Sequence, residues 1–148
     1  MKTSTTALFA LAAVSAAQLV QRERHQRQNN EVALTRIHFD WLTLLTTHPE
    51  FAGLWTPDGM DVKEYMDLIN ANQQIVSVSL RNKLGMASKE ALRVMADAAM
   101  ARGHCRRYWD RFGGFREKEA TGDKTQQKFN EVMHAAFVAR PETDSVGV

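Results

Sequence analysis

Cysteine is nearly absent from these 148 residues. Cys105 stands alone, which excludes an intramolecular disulfide and fits a reducing compartment. Proline occurs at Pro49, Pro57 and Pro141 only, so the chain has few obligatory breaks. No segment alternates apolar and polar residues with period two, which argues against a sheet and for an all-α fold. Excess charge is missing too. A formal net charge of +2 is too small to imply a polyanionic partner, and no nucleic-acid reading motif is present. There is no internal repeat, and the one biased tract is a tail at 141–148, expected to be disordered. What remains is enough for a single domain with one core.

Charge is also lacking from Ala7 to Val20, and the rest of the chain is hung from that run. Its length is that of a signal-peptide core, and Val14 and Ala16, or Ser15 and Ala17, would suit a signal peptidase. The flanking charges argue otherwise. Only Lys2 precedes the run, whereas Arg22, Arg24 and Arg27 follow it with Glu23 as the sole offset. Positive flanks stay on the cytoplasmic side. Residues 1–20 are therefore expected to be a short membrane anchor, with cleavage and secretion as the alternative. Thr3 to Thr6 can lengthen the span by bonding back to their helix, and Arg22 can snorkel to the interface.

Residues 21–30 lack an apolar stripe and read as a basic, solvated helical stalk, with the helical domain at 31–140. Leu34, Ile37, Trp41, Leu44 and Leu45 recur at helical spacing and predict a helix ending at Thr47 before Pro49. Phe51, Leu54 and Trp55 are then expected in a loop folded back on the core, closed by a turn at Thr56–Gly59. Asp61 is a predicted N-cap with Glu64 in the capping-box position, Tyr65, Met66, Ile69, Val76 and Leu80 give the next stripe, and Gly85 stops it. Between Leu68 and Leu80 there is no charge, yet Asn70, Asn72, Gln73, Gln74, Ser77 and Ser79 make the segment polar. Such a helix is either central, with its amides bonded to neighbours, or covered by a partner.

Ser88 is the predicted cap of a helix with Leu92, Met95 and Ala99 inward, closed by Gly103. The next places Cys105, Tyr108, Trp109 and Phe112 on one face and is expected to weaken at Gly113 and Gly114. After Thr121 and Gly122, a last helix carries Phe129, Val132, Met133, Ala136 and Phe137. The architecture is an irregular bundle of about five helices, counting the stalk helix.

A short apolar run, a Gln- and Arg-rich stalk, a helix with His38 and Trp41, the segment HPEFAGLW, Asn72 within the next helix, and RRYWDRF together resemble the bacterial Domain of Unknown Function 6082 family, found mostly in actinobacteria. The resemblance spans about Leu19 to Phe137. It implies a membrane-tethered helical protein with no assigned activity.

Among residues able to carry chemistry, His38 and His48 with Asp40 and Glu50 fail the ligand count and spacing of a metal helix, so no metal or other cofactor is expected. His48 reads as a C-terminal capping residue, and His38 as half-buried and bonded to a carbonyl or to an amide of the helix that holds Asn72. Cys105 reads as a packed core thiol. Arg102, Arg106, Arg107, Arg111 and Arg116 crowd one short segment, relieved by Asp110. They read as a solvated basic surface, with contact to anionic lipid as the second reading. Trp41, Trp55, Tyr65, Asn72 and Trp109 come from separate segments and read as core. As a binding pocket they would centre on His38, Trp41, Asn72 and Trp109. The sequence thus favours a membrane-anchored, cytoplasm-facing binding module that engages a protein partner, itself included, or the bilayer surface. The rival is a small-molecule sensor or enzyme built around His38, Asn72 and Trp109.

Overall fold

Side-chain caps set where three of the helices begin. A carboxylate oxygen of Asp61 accepts from the backbone N–H of Lys63 (3.0 Å) and Glu64 (3.2 Å). Ser88 Oγ accepts from Ala91 N–H (3.1 Å), and Asp123 does the same for Gln126 (3.0 Å). Each satisfies a donor that the first helical turn leaves unpaired. The computed structural model describes residues 2–140, with side chains from residue 13 onward, and the tail at 141–148 lies outside the described residues. Among the described residues the helices are α1 (Lys2–Thr47), α2 (Pro49–Trp55), α3 (Val62–Lys83), α4 (Lys89–Met100), α5 (Gly103–Glu119) and α6 (Lys124–Ala139), with no strand. The expected all-α class stands.

The chain divides into a first unit ending at His38 and a second beginning at Phe39, and α1 contributes to both. In the first unit the described side chains are solvated or half-buried, and an Arg27–Glu23 pair (2.6 Å) bridges one turn of the helix. Among the described residues no helix is long and apolar enough to cross a membrane.

The second unit is built around α3, which packs against α2, α4, α5 and α6. Leu68, Ala71, Ile75 and Ser79, one turn apart, form its buried edge. The residues predicted for that role, Tyr65, Met66, Ile69, Val76 and Leu80, are half-buried, because a helix with neighbours on several sides has no single inner stripe. Ile75 shares one core with Leu92, Ala96 and Met100 of α4, Cys105, Tyr108 and Trp109 of α5, and Phe129 and Met133 of α6. Gly85, at φ 70°, turns the chain out of α3 in the left-handed region a C-terminal glycine supplies.

Three expectations are corrected. Pro49 does not merely end α1. It opens α2, where a proline at the first turn has no hydrogen bond to lose, so Phe51, Leu54 and Trp55 are helical and exposed rather than folded back on the core. On α1 the buried residues are Leu42 and Leu45, while Leu34, Ile37 and Trp41 face solvent. Finally, α5 runs unbroken through Gly113 and Gly114.

The reason for Gly113 is steric. A Cβ there would lie 3.1 Å from Trp109 Nε1 and 3.3 Å from two ring carbons, and Trp109 is 2% exposed. A Cβ at Gly114 would meet nothing within 4 Å. Gly113→Ala should therefore destabilise by about 1–3 kcal/mol through overpacking. Gly114→Ala should stabilise by up to about 1 kcal/mol through helix propensity alone. Paired thermal melts of the two variants check the opposite signs.

Candidate functional site

Asn72 lies mid-way along α3 with its amide turned towards α5. Its Oδ1 accepts from Tyr108 Oη (2.8 Å) and from the Arg116 guanidinium. Arg116 Nε and Nη2 also donate to Tyr108 Oη at 3.1 and 3.0 Å, and its guanidinium carbon sits 5.7 Å from that ring's centroid. Behind this junction Asn130 Nδ2 donates to the Arg116 carbonyl (2.9 Å), Gln126 Nε2 to Asn130 Oδ1 (3.2 Å), and Ser79 Oγ to Gln126 Oε1 (2.8 Å). A polar chain thus ties α3, α5 and α6 together across an otherwise apolar core. It holds one guanidinium among neutral oxygens, and no carboxylate takes part. Such a set can lock helices in register, but it contains no acid–base pair.

A second polar cluster gathers on Gln74. Its Nε2 donates to Asn70 Oδ1 (2.7 Å) and lies 3.0 Å from His104 Nε2, while its Oε1 accepts from Arg102 (3.2 Å) and from the Cys105 thiol (3.6 Å). Burial lowers the His104 pKa below the usual 6.5. Asp67 opposes that shift, and Arg102 and Arg107 add to it. Burial also pushes the Cys105 thiol up, against the pull of Arg102. Cys105 is fully buried, as the core reading expected.

The residues singled out from the sequence do not converge on one pocket. Asn72 joins Tyr108 and Arg116. Trp109 belongs to the core, where its indole N–H has no hydrogen-bond partner. His38 is exposed and lies in the first unit, so its expected half-burial is corrected. Trp41 instead meets Trp55 edge to face, with ring centroids 5.2 Å apart at 88°. The five arginines do not form one free basic face. Arg102 serves Gln74, Arg106 donates to the Phe137 carbonyl (3.1 Å) and lies over its ring (4.7 Å), and Arg116 points inward. Arg107 pairs with Asp67 (3.7 Å), and Arg111 lies over Phe112. Among the described residues no group of three or more His, Cys, Asp or Glu could hold a metal ion.

The feature that sequence reasoning missed is an exposed aromatic patch. On α2, Leu54 is 77% and Trp55 58% exposed, with Phe51 beside them and Trp41 at 40%. Its signal was Pro49 followed by apolar residues three and four apart, the spacing of one helix face. The partnership of Asn72 with Tyr108 and Arg116 was missed as well. An uncharged polar run pointed to bonded amides but not to their partners.

Removing the shared acceptor should be costly. Asn72→Ala leaves the buried Tyr108 hydroxyl without its acceptor and Arg116 with Tyr108 Oη alone, and should destabilise by about 1–3 kcal/mol, more than Tyr108→Phe, as read from urea unfolding. A separate signature belongs to His104. Because its folded pKa is below the unfolded value, the unfolded state binds the proton first. Stability should therefore fall as pH drops from 7 through about 6.5, and His104→Gln should flatten that part of the profile.

No curated protein and no solved structure matches the chain. A family model, described as a family of unknown function, matches residues 2–146, nearly the whole length. The chain therefore belongs to the DUF6082 family.

Proposed function

We propose that this protein is an interaction module whose second unit engages a protein partner through the patch of Trp41 on α1 with Phe51, Leu54 and Trp55 on α2. The observation that carries this reading is the exposure of a Trp–Trp pair beside a nearly bare leucine. Apolar clusters of this kind are uncommon on monomer surfaces and mark interfaces, and Trp is enriched among residues that dominate binding energy. The charge around it selects between partners. From residue 37 to residue 62 there is no Lys or Arg, but there are Asp40, Glu50, Asp58 and Asp61. A patch whose neighbours along the chain carry only carboxylates for charge is disfavoured at anionic headgroups and suits a protein cleft with basic edges. The pocket rival has less support, since Asn72 is occupied by Tyr108 and Arg116, and Trp109 is packed in the core.

The same proposal includes a tether. An uncharged run at Ala7–Val20, preceded by Lys2 alone and followed by Arg22, Arg24 and Arg27, supports attachment of residues 1–20 to a membrane with the folded unit on the cytoplasmic side. Secretion after cleavage near Ala16 or Ala17 is the alternative topology.

A photoreactive side chain at position 54 of the full chain should give one discrete protein crosslink in the native host. The same group at exposed Val94 should not. Trp55→Ala should weaken the complex by about 2–4 kcal/mol while leaving the fold intact. Crosslinking to lipid alone, or equal labelling from both positions, would sink the proposal.

A further inference from the structure

Lys89 and Arg93 lie one turn apart on α4, and Lys124 and Lys128 one turn apart on α6, so each pair shares a helix face. Because α4 packs against α6, all four side chains border one open cavity of about 420 Å³. Asn82 and Thr125 add polar atoms to its wall, and Ala87, Leu92 and Val132 add apolar surface. No carboxylate lines it. Glu90 and Asp97 share α4 with these cations, and Glu131 shares α6, but none forms an ion pair with them among the described residues. Asp123, at the start of α6, is engaged with Lys83 (3.9 Å) and with its own helix turn.

Four cations around one cavity, none of them held in an ion pair among the described residues, favour an anion placed between them. The apolar wall adds a second requirement. A bare inorganic anion would leave the half-buried Ala87 and Val132 uncovered, and a neutral apolar molecule would leave the four charges unmatched. The cavity volume lies in the small-ligand range of about 300–1,000 Å³.

We infer that the cavity between α4 and α6 is a binding site for a free organic anion with an apolar body, of the alkyl acid class. Its head meets Lys89, Arg93, Lys124 and Lys128, and its chain covers Ala87 and Val132. This site shares no residue with the aromatic patch on α2, so the two readings stand or fall separately.

The test is a titration of the full chain, followed by calorimetry and by backbone amide shifts, with decyl phosphate below its micellar concentration. Sodium phosphate, decanol and phosphatidylglycerol vesicles are the comparison probes. Decyl phosphate should bind saturably and shift amides within 87–93 and 124–132, with sodium phosphate and decanol each at least about ten times weaker. The double variant Lys89→Gln/Lys128→Gln should lose about tenfold or more in affinity. Thr125→Trp, at the rim, should lower affinity by filling the cavity. All three positions are exposed, and circular dichroism verifies that each variant is folded. Absence of saturation would overturn the inference, as would shifts confined to other helices. Phosphate binding as tight as decyl phosphate would reduce the site to a simple anion patch. Binding to vesicles without binding to free decyl phosphate would make it a lipid-facing surface instead.

Discussion

A helix that is both central and polar must find a partner for each amide it buries, and α3 meets that demand on several sides at once. Gln73 reaches the Phe39 carbonyl (3.3 Å) and Thr43 Oγ1 (3.0 Å), Asn72 takes Tyr108 and Arg116, Gln74 takes Arg102, and Ser79 takes Gln126. An unpaired polar group in such a place costs about 1–3 kcal/mol. The polar bonds therefore specify which helix lies on which side, while Ile75, Phe129 and Met133 supply the non-directional part of the stability. Leucines in their place would leave the same helices freer to rotate or exchange.

The chemistry of the surface is segregated along the second unit's elements. The stretch that carries the aromatic patch has only carboxylates for charge, and the charged residues that border the cavity of α4 and α6 are all cations. On α5, Arg106, Arg107 and Arg116 are engaged with groups of the protein itself. The near-neutral total of +2 conceals this division, because opposite local fields cancel in a sum.

Much of the fold was legible in residue types whose physics is local. Asp61 and Ser88 cap helices because a short side-chain acceptor is what a helix start lacks, and Gly85 and Gly122 adopt the positive φ that follows a helix end. The uncharged polar run left two readings, a central helix or one covered by a partner, and the packing of α3 against four helices gives the first. What was not legible depends on tertiary context. Leu34, Ile37 and Trp41 have helical spacing, but spacing shows only that residues share a face and not what that face meets. Pro49 is compatible with either the end of one helix or the start of the next. Arg116 belongs by composition to a basic segment, yet its distance along α5 turns it towards Asn72. The basic cavity was invisible because its halves are some thirty residues apart and are joined only by the packing of α4 on α6.

The Cys105 thiol is fully enclosed where α3 meets α5, its pKa is raised by burial, and it is the chain's only sulfhydryl. Alkylating or oxidising reagents act on the thiolate, so the closed protein presents them with nothing to attack. Any modification must await a transient parting of those two helices. The molecule thus carries an intrinsic clock for its own breathing, in which the rate of thiol capture reports how often the core around Cys105 opens.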